Sequence, residues 1–202
     1  ASAAIDRSTG FHNIADAKLQ VVARQTANFA RAEGMSVMEN MLQANPDIQA
    51  VFAANDEMAL GAMEAITGAG KDIMVVGFDA TDDAIASIKA GQMAGTIAQQ
   101  PALIGSTAVT NALKLINGET IEKSIPVEVT LVTIDNVETF AELEEATAVV
   151  GDGSIGLAVS TQNNPFFVTL VEGAQKAADA AGVKLTVADA GDDAAKQTSD
   201  IE

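Results

Sequence analysis

NPDIQAVFAANDEMALGAMEAITGAGKDIMVVGFDAT, residues 45–81, reads as strand, helix, strand. The apolar runs IQAVFAA (48–54) and DIMVVGF (72–78) are short and continuous, the form taken by strands covered on both faces of a parallel sheet. Between them, residues 56–68 carry a helical period that opens on Asn55, Asp56 and Glu57. The same rhythm extends in both directions. Further strands are expected at LQVVAR (19–24), MAGTIA (93–98), PVEVTLVTI (126–134), SIGLAVS (154–160) and VKLTVAD (183–189). Helices are expected at 5–17, 31–44, 81–90, 101–116 and 165–181, with a last one starting near Asp192. The class is α/β, with a mostly parallel, doubly wound, flavodoxin-like sheet.

The stretch 137–152, with ETFAELEEA (138–146) followed by TAVVGD (147–152), breaks this rhythm and reads as a linker. It separates one complete-looking lobe, residues 1–136, from residues 153–202, a fragment with too little apolar surface to stand alone. No internal repeat of 20–50 residues is evident.

Composition removes several classes of function. Eleven Lys and Arg against 28 Asp and Glu give a net charge of −17, a field that repels phosphate backbones and anionic membranes. Nucleic acid is therefore not an expected partner. No apolar run approaches a membrane-spanning length, and the opening ASAAIDRSTG lacks the basic and apolar regions of a secretion signal. With no cysteine, disulfides, thiolate nucleophiles and zinc fingers are all excluded.

In open α/β sheets ligands sit beyond the carboxyl ends of the strands. Polar residues follow four of the runs: Asn55, Asp56 and Glu57; Asp79; Gln99 and Gln100; and Thr161, Gln162, Asn163 and Asn164. Amides and carboxylates of this kind match a neutral polyhydroxylated ligand, and Phe29, Phe166 and Phe167 lie near the same rim to face its CH groups. At any single position helix capping explains Asn or Asp at least as well; four such ends in one chain favour a crevice.

Catalytic readings find less support. His12, the single histidine, falls inside a helix, and no GxSxG elbow occurs. Gly151, Gly153 and Gly156 spell GxGxxG but precede a strand, leaving no helix N-terminus for a pyrophosphate. Asp79, Asp82 and Asp83 form an acidic cluster that would suit Mg²⁺ or a phosphoryl group, against the plainer reading of a solvated helix start. Asp189, Asp192 and Asp193 lack EF-hand spacing. No catalytic residue, cofactor or metal is assigned.

Four segments carry a family likeness: STQNNPFFVTLVEGAQKAADAAG (160–182), NPDIQAVFAANDEMALGAMEAI (45–66), IMVVGFDAT (73–81) and AGTIAQQPALIG (94–105). They resemble periplasmic sugar-binding proteins of the ribose-binding type, non-catalytic receptors in which two lobes close on a sugar and deliver it to an ABC-type permease or a chemoreceptor. The resemblance implies a periplasmic or extracytoplasmic location. It also implies ligand contacts from Asn164, Phe166 and Phe167 in the first lobe and from Phe29, Asn55, Asp79 and Gln99 in the second.

Two departures accompany it. Where the ribose-binding pattern has a sugar-contacting arginine, SAAIDR has Ile5, so ribose is not singled out and Arg7 is a weak substitute. The order is also changed: residues 1–136 match the family's C-terminal lobe and residues from 153 its beginning, the pattern of a circularly permuted and truncated chain. Two completions stand open, the strands of 153–202 adding to the sheet of 1–136 or a second copy of the chain supplying what is missing. The latter corresponds to an alternative function as a structural or assembly protein without sugar binding.

Overall fold

A computed structural model of the chain describes residues 2–141, 149–151 and 153–202. They pack as two compact units, Ala1–Ala98 with Thr130–Phe140, and Gln99–Val129 with Ala141–Glu202. Among the described residues, no helix is long and apolar enough to cross a membrane.

The first unit contains α1 (Ser2–Lys18), α2 (Arg31–Ala44), β1 (Ala50–Phe52), α3 (Asp56–Gly68), β2 (Met74–Asp79), α4 (Asp82–Lys89), β3 (Gly95–Ala98) and, after an excursion through the second unit, β4 (Thr130–Thr133). Its sheet has the order β1-β2-β3-β4; the first three strands are parallel and β4 is antiparallel to β3. Met38 and Leu42 of α2, Ala59 and Ala62 of α3, Val75 of β2, Ile88 of α4 and Val132 of β4 share one buried core. Gly77 of β2 lies so close to α3 that a Cβ there would meet Asp56 Oδ1 and the Cβ of Ala59. Arg31 joins three helices: its guanidinium donates to both Glu57 oxygens at 3.1 and 2.8 Å and to Asp83 at 2.7 Å. At the other edge α1 is fastened to β1, with Phe11 stacked on Phe52 at 4.9 Å.

The second unit contains α5 (Pro101–Ile116), β5 (Ser154–Val159), α6 (Pro165–Ala181), β6 (Lys184–Asp189) and α7 (Ala194–Ile201). β5 and β6 form their own two-stranded parallel sheet, in register from Ser154 opposite Lys184 to Val159 opposite Asp189. The strands of 153–202 therefore do not extend the larger sheet, as one of the two completions required. Val109 and Leu113 of α5 meet Ala174, Ala178 and Ala181 of α6 in a small core, against which Ile155, Leu157 and Leu185 pack. Helix α6 ends on Gly182 at φ 74°, the left-handed cap that glycine supplies at no steric cost.

Several expectations are corrected. LQVVAR (19–24) forms no strand; Leu19, Val21 and Val22 are exposed, because no neighbouring strand pairs with the run. The strand expected over 126–134 shortens to 130–133, Pro126 having no N–H to offer a ladder. In packing, α5 goes with the second unit, and Val137 is buried in the first unit's core. Residues 142–148 and 152 of the expected linker lie outside the described residues.

Candidate functional site

In the first unit the carboxyl ends of β1 and β2 gather three of the expected contact residues. Asn55, 1 % exposed, caps α3: its Oδ1 accepts the Met58 N–H at 2.9 Å. Its Nδ2 donates to the Phe29 carbonyl at 3.1 Å, so capping and placement of an aromatic ring are done by one amide. Phe29 itself is well exposed, at the tip of a turn in which Asn28 and Phe29 have φ of 47° and 61° and Ala30 N–H donates to the Ala27 carbonyl. Left-handed geometry at a phenylalanine is uncommon, and the Asn55 bond helps hold it there.

Asp79 ends β2, 5 % exposed, with φ 125°, and Ala80 follows at φ 59°. Two successive non-glycine residues in this half of φ space cost on the order of 1–3 kcal/mol each, so the surroundings must impose the turn. Arg7 of α1 reaches this end of the sheet. Its Nη1 donates to the Ala54 carbonyl at 2.7 Å and lies 4.0 Å from Asp79 Oδ1, while the guanidinium covers the Phe78 ring at 4.1 Å. Burial lowers the guanidinium pKa, opposed by the attraction of Asp79 and Asp56. Arg7 is thus bound to protein acceptors. Ile5, two residues earlier, is exposed.

Beneath this rim lies a buried network that sequence reading did not single out. Asp56 is fully buried; its Oδ1 accepts the Thr96 hydroxyl at 2.7 Å and its Oδ2 the Thr81 N–H at 2.9 Å. Burial pushes the Asp56 carboxyl above its ordinary value, and the bonds from Thr96 and Thr81 act against that rise. Asp56 was visible only as one of three polar residues after a strand. Thr96 lies inside the run MAGTIA (93–98), with nothing in its spacing to set it apart.

The second unit carries the other four residues. Asn164 caps α6, its Oδ1 accepting the Phe166 N–H at 2.9 Å, and the Phe166 and Phe167 rings meet edge to face at 5.2 Å. Gln99 lines a mostly apolar groove of about 410 Å³ with Ile104, Thr107, Asn111, Ile125 and Val129.

The remaining candidates resolve as structural features. Gly153 leads into β5 and Gly156 lies within it. His12 Nδ1 pairs with Asp16 Oδ1 at 2.8 Å along α1. Asp82 and Asp83 stand in the first turn of α4, with Asp83 bound by Arg31. Asp189 accepts the N–H groups of Gln162 and Gly191, and Asp193 caps α7. Among the described residues, no group of three or more His, Cys, Asp or Glu is placed to hold a metal ion.

Residues 1–120 match the model of the periplasmic binding protein domain. A ribose import binding protein of Bacillus subtilis is 56 % identical over 133 residues, 66 % of this chain and 44 % of that protein. An ABC transporter solute binding protein of Bacillus halodurans, solved with bound myo-inositol, superposes with a TM-score of 0.64 at 42 % identity, covering 67 % of this chain and 48 % of that one. A second solute binding protein, from Actinobacillus succinogenes with bound D-allose, gives a TM-score of 0.63 at 35 % identity over 67 % of this chain and 50 % of its own. The chain spans about half the length of these relatives. It belongs to the periplasmic binding protein family.

Proposed function

We propose, from that membership and the geometry of the two units, that the chain binds a small neutral sugar or polyol without covalent chemistry. Its setting would be periplasmic, as a solute-binding component of ABC-type uptake or chemoreception, with a permease or chemoreceptor as partner. The observation that carries the proposal is the gathering of Phe29, Asn55 and Asp79 at one end of the first unit's sheet. A carboxylate there accepts from hydroxyls, an amide does both, and an exposed phenyl ring offers its face to CH groups. Asn164, Phe166, Phe167 and Gln99 are the contacts assigned to the second unit. In this reading residues 1–136 derive from a C-terminal-type lobe and 153–202 from an N-terminal-type one, with 137–152 between them.

The relatives' ligands, ribose, myo-inositol and D-allose, are uncharged and rich in hydroxyls, which fits a rim supplying acceptors and amides. Ile5 in the place of an arginine favours the wider set of polyols over ribose alone. No step in binding such a molecule needs a general base, a metal or a cofactor, so a receptor is preferred to an enzyme.

Titration calorimetry with ribose, D-allose and myo-inositol tests the proposal. At least one should bind with micromolar or tighter affinity, and Asp79→Asn should weaken that binding by tenfold or more, a loss of about 1.4 kcal/mol. Silence across a wider panel of pentoses, hexoses and polyols, with a mass that grows with concentration, would leave assembly as the better account.

A further inference from the structure

The turn that presents Asp79 is held by two side chains no ligand can reach. After Asp79, the Ala80 N–H donates to Thr96 Oγ1 at 3.2 Å, and the next amide, that of Thr81, donates to Asp56 Oδ2 at 2.9 Å. Thr96 closes the circuit by giving its hydroxyl proton to Asp56 Oδ1 at 2.7 Å. A hydroxyl has one proton, so donating it to the carboxylate leaves Thr96 a lone pair aimed at Ala80. Thr96 and Asp56 are both fully buried, the one on β3 and the other on α3. One carboxylate thereby governs both amides that follow Asp79, directly at Thr81 and through Thr96 at Ala80. The absence of a side chain at Gly77 is what lets Asp56 lie against the strand at this height.

We infer that Thr96 and Asp56 are positioning residues for ligand binding: they impose the left-handed turn at Ala80 and so fix the direction in which the Asp79 carboxylate faces. The inference rests on the reading of Asp79 as a ligand contact, and it goes beyond it by assigning affinity to two residues that touch no ligand. Arg7 adds a restraint from the α1 side, 4.0 Å from Asp79 Oδ1. Thr96 is a fully buried hydroxyl residue in a strand whose Gly95 and Ala98 are also buried and carry no polar side chain.

Thr96→Val keeps the shape and removes the hydroxyl, and Thr96→Ser keeps the hydroxyl. Two readouts are taken on each: affinity for ribose, D-allose and myo-inositol, and the φ-sensitive coupling and Cα and Cβ shifts of Ala80 by NMR. Folded Thr96→Val should bind at least tenfold more weakly and lose the left-handed signature of Ala80, while Thr96→Ser retains both. Wild-type affinity in Thr96→Val, or an unchanged Ala80 signature, overturns the inference; a purely structural threonine would lower the unfolding midpoint and leave the affinity of the folded fraction alone. If Thr96→Val does not fold, Asp56→Asn, which keeps one oxygen for Thr81 and gives up the charge that draws the Thr96 proton, is read the same way. Should the wild-type chain bind none of the wider panel of pentoses, hexoses and polyols, the functional reading falls, and the Ala80 signature alone then decides whether Thr96 and Asp56 set the turn.

Discussion

Helices α2 and α3 in the first unit cross as α5 and α6 do in the second, yet the two crossings rest on unequal foundations. In each helix a glycine stands three residues after the position that its partner's glycine approaches. A Cβ on Gly34 would meet the Met58 carbonyl, and one on Gly61 the Arg31 carbonyl; a Cβ on Gly105 would meet the Leu170 carbonyl, and one on Gly173 the Ala102 carbonyl. All four contacts are backbone against backbone, so no side chain can yield. Below α2 and α3 lie a four-stranded sheet and sixteen buried core residues among those described; beside α5 and α6 lie a two-stranded sheet and six. Close helix contact is thus a local property of two facing surfaces, whereas stability comes from the apolar area beneath them.

The largest expected effect follows from that inequality. Leu113 is the largest buried side chain of the smaller core, and Leu113→Ala should cost about 2–5 kcal/mol. Urea unfolding followed by native-state hydrogen exchange should show amides of β5, β6 and α6 losing protection while β2 and β3 keep theirs. Equal loss in both units would mean that they unfold as one, and that the small core draws on the large one.

If the crossings are equivalent, their glycines should respond alike. Gly34→Ala and Gly105→Ala each push a methyl group against a carbonyl and should destabilise their own unit by about 1–3 kcal/mol. A free pass for either would show that its helices can separate, and that the match between the pairs is one of form alone.

Much of this was legible beforehand. Most of the helices, together with β2, β5 and β6, lie within a residue or two of where apolar period and caps put them, because burial and capping act locally. The reciprocal glycines were written out as RAEG, MALG, ALIG and LVEG at 31–34, 58–61, 102–105 and 170–173, but a four-residue echo is too short to register as a repeat. The partner of α5 was not legible, since contact between residues 102 and 173 is a matter of tertiary packing. At the rim, the polar strand ends could be read because they follow apolar runs. Thr96 and Asp56 could not, because their role depends on a turn whose positive φ values leave no mark in the residues Asp79 and Ala80.

A smaller effect separates the two units by pH. Burial raises the Asp56 carboxyl above its ordinary value, so the folded state holds that proton more tightly than the unfolded chain. The corresponding stability is fully present below the ordinary Asp value and is lost as pH rises through the higher folded value. Acidification from neutrality into that window should therefore strengthen the first unit by this contribution, and Asp56→Asn should flatten its pH dependence relative to wild type. Because every other carboxylate is common to the two proteins, their difference reports Asp56; parallel curves would place its proton elsewhere.

The smallest effect concerns the run that looked like a strand and is not one. Val21 and Val22 are adjacent, and in any strand with one covered face adjacent side chains point to opposite sides. Were 19–24 paired against the open edge of β1, one of the two valines would be covered, and its replacement by threonine would bury a hydroxyl at a cost of about 1–3 kcal/mol while the other replacement stayed silent. Both valines are exposed, so Val21→Thr and Val22→Thr should each stay within about 0.5 kcal/mol of wild type in urea unfolding. An asymmetric pair of results would restore the strand and make the first unit's sheet larger than four strands, widening its advantage over the second.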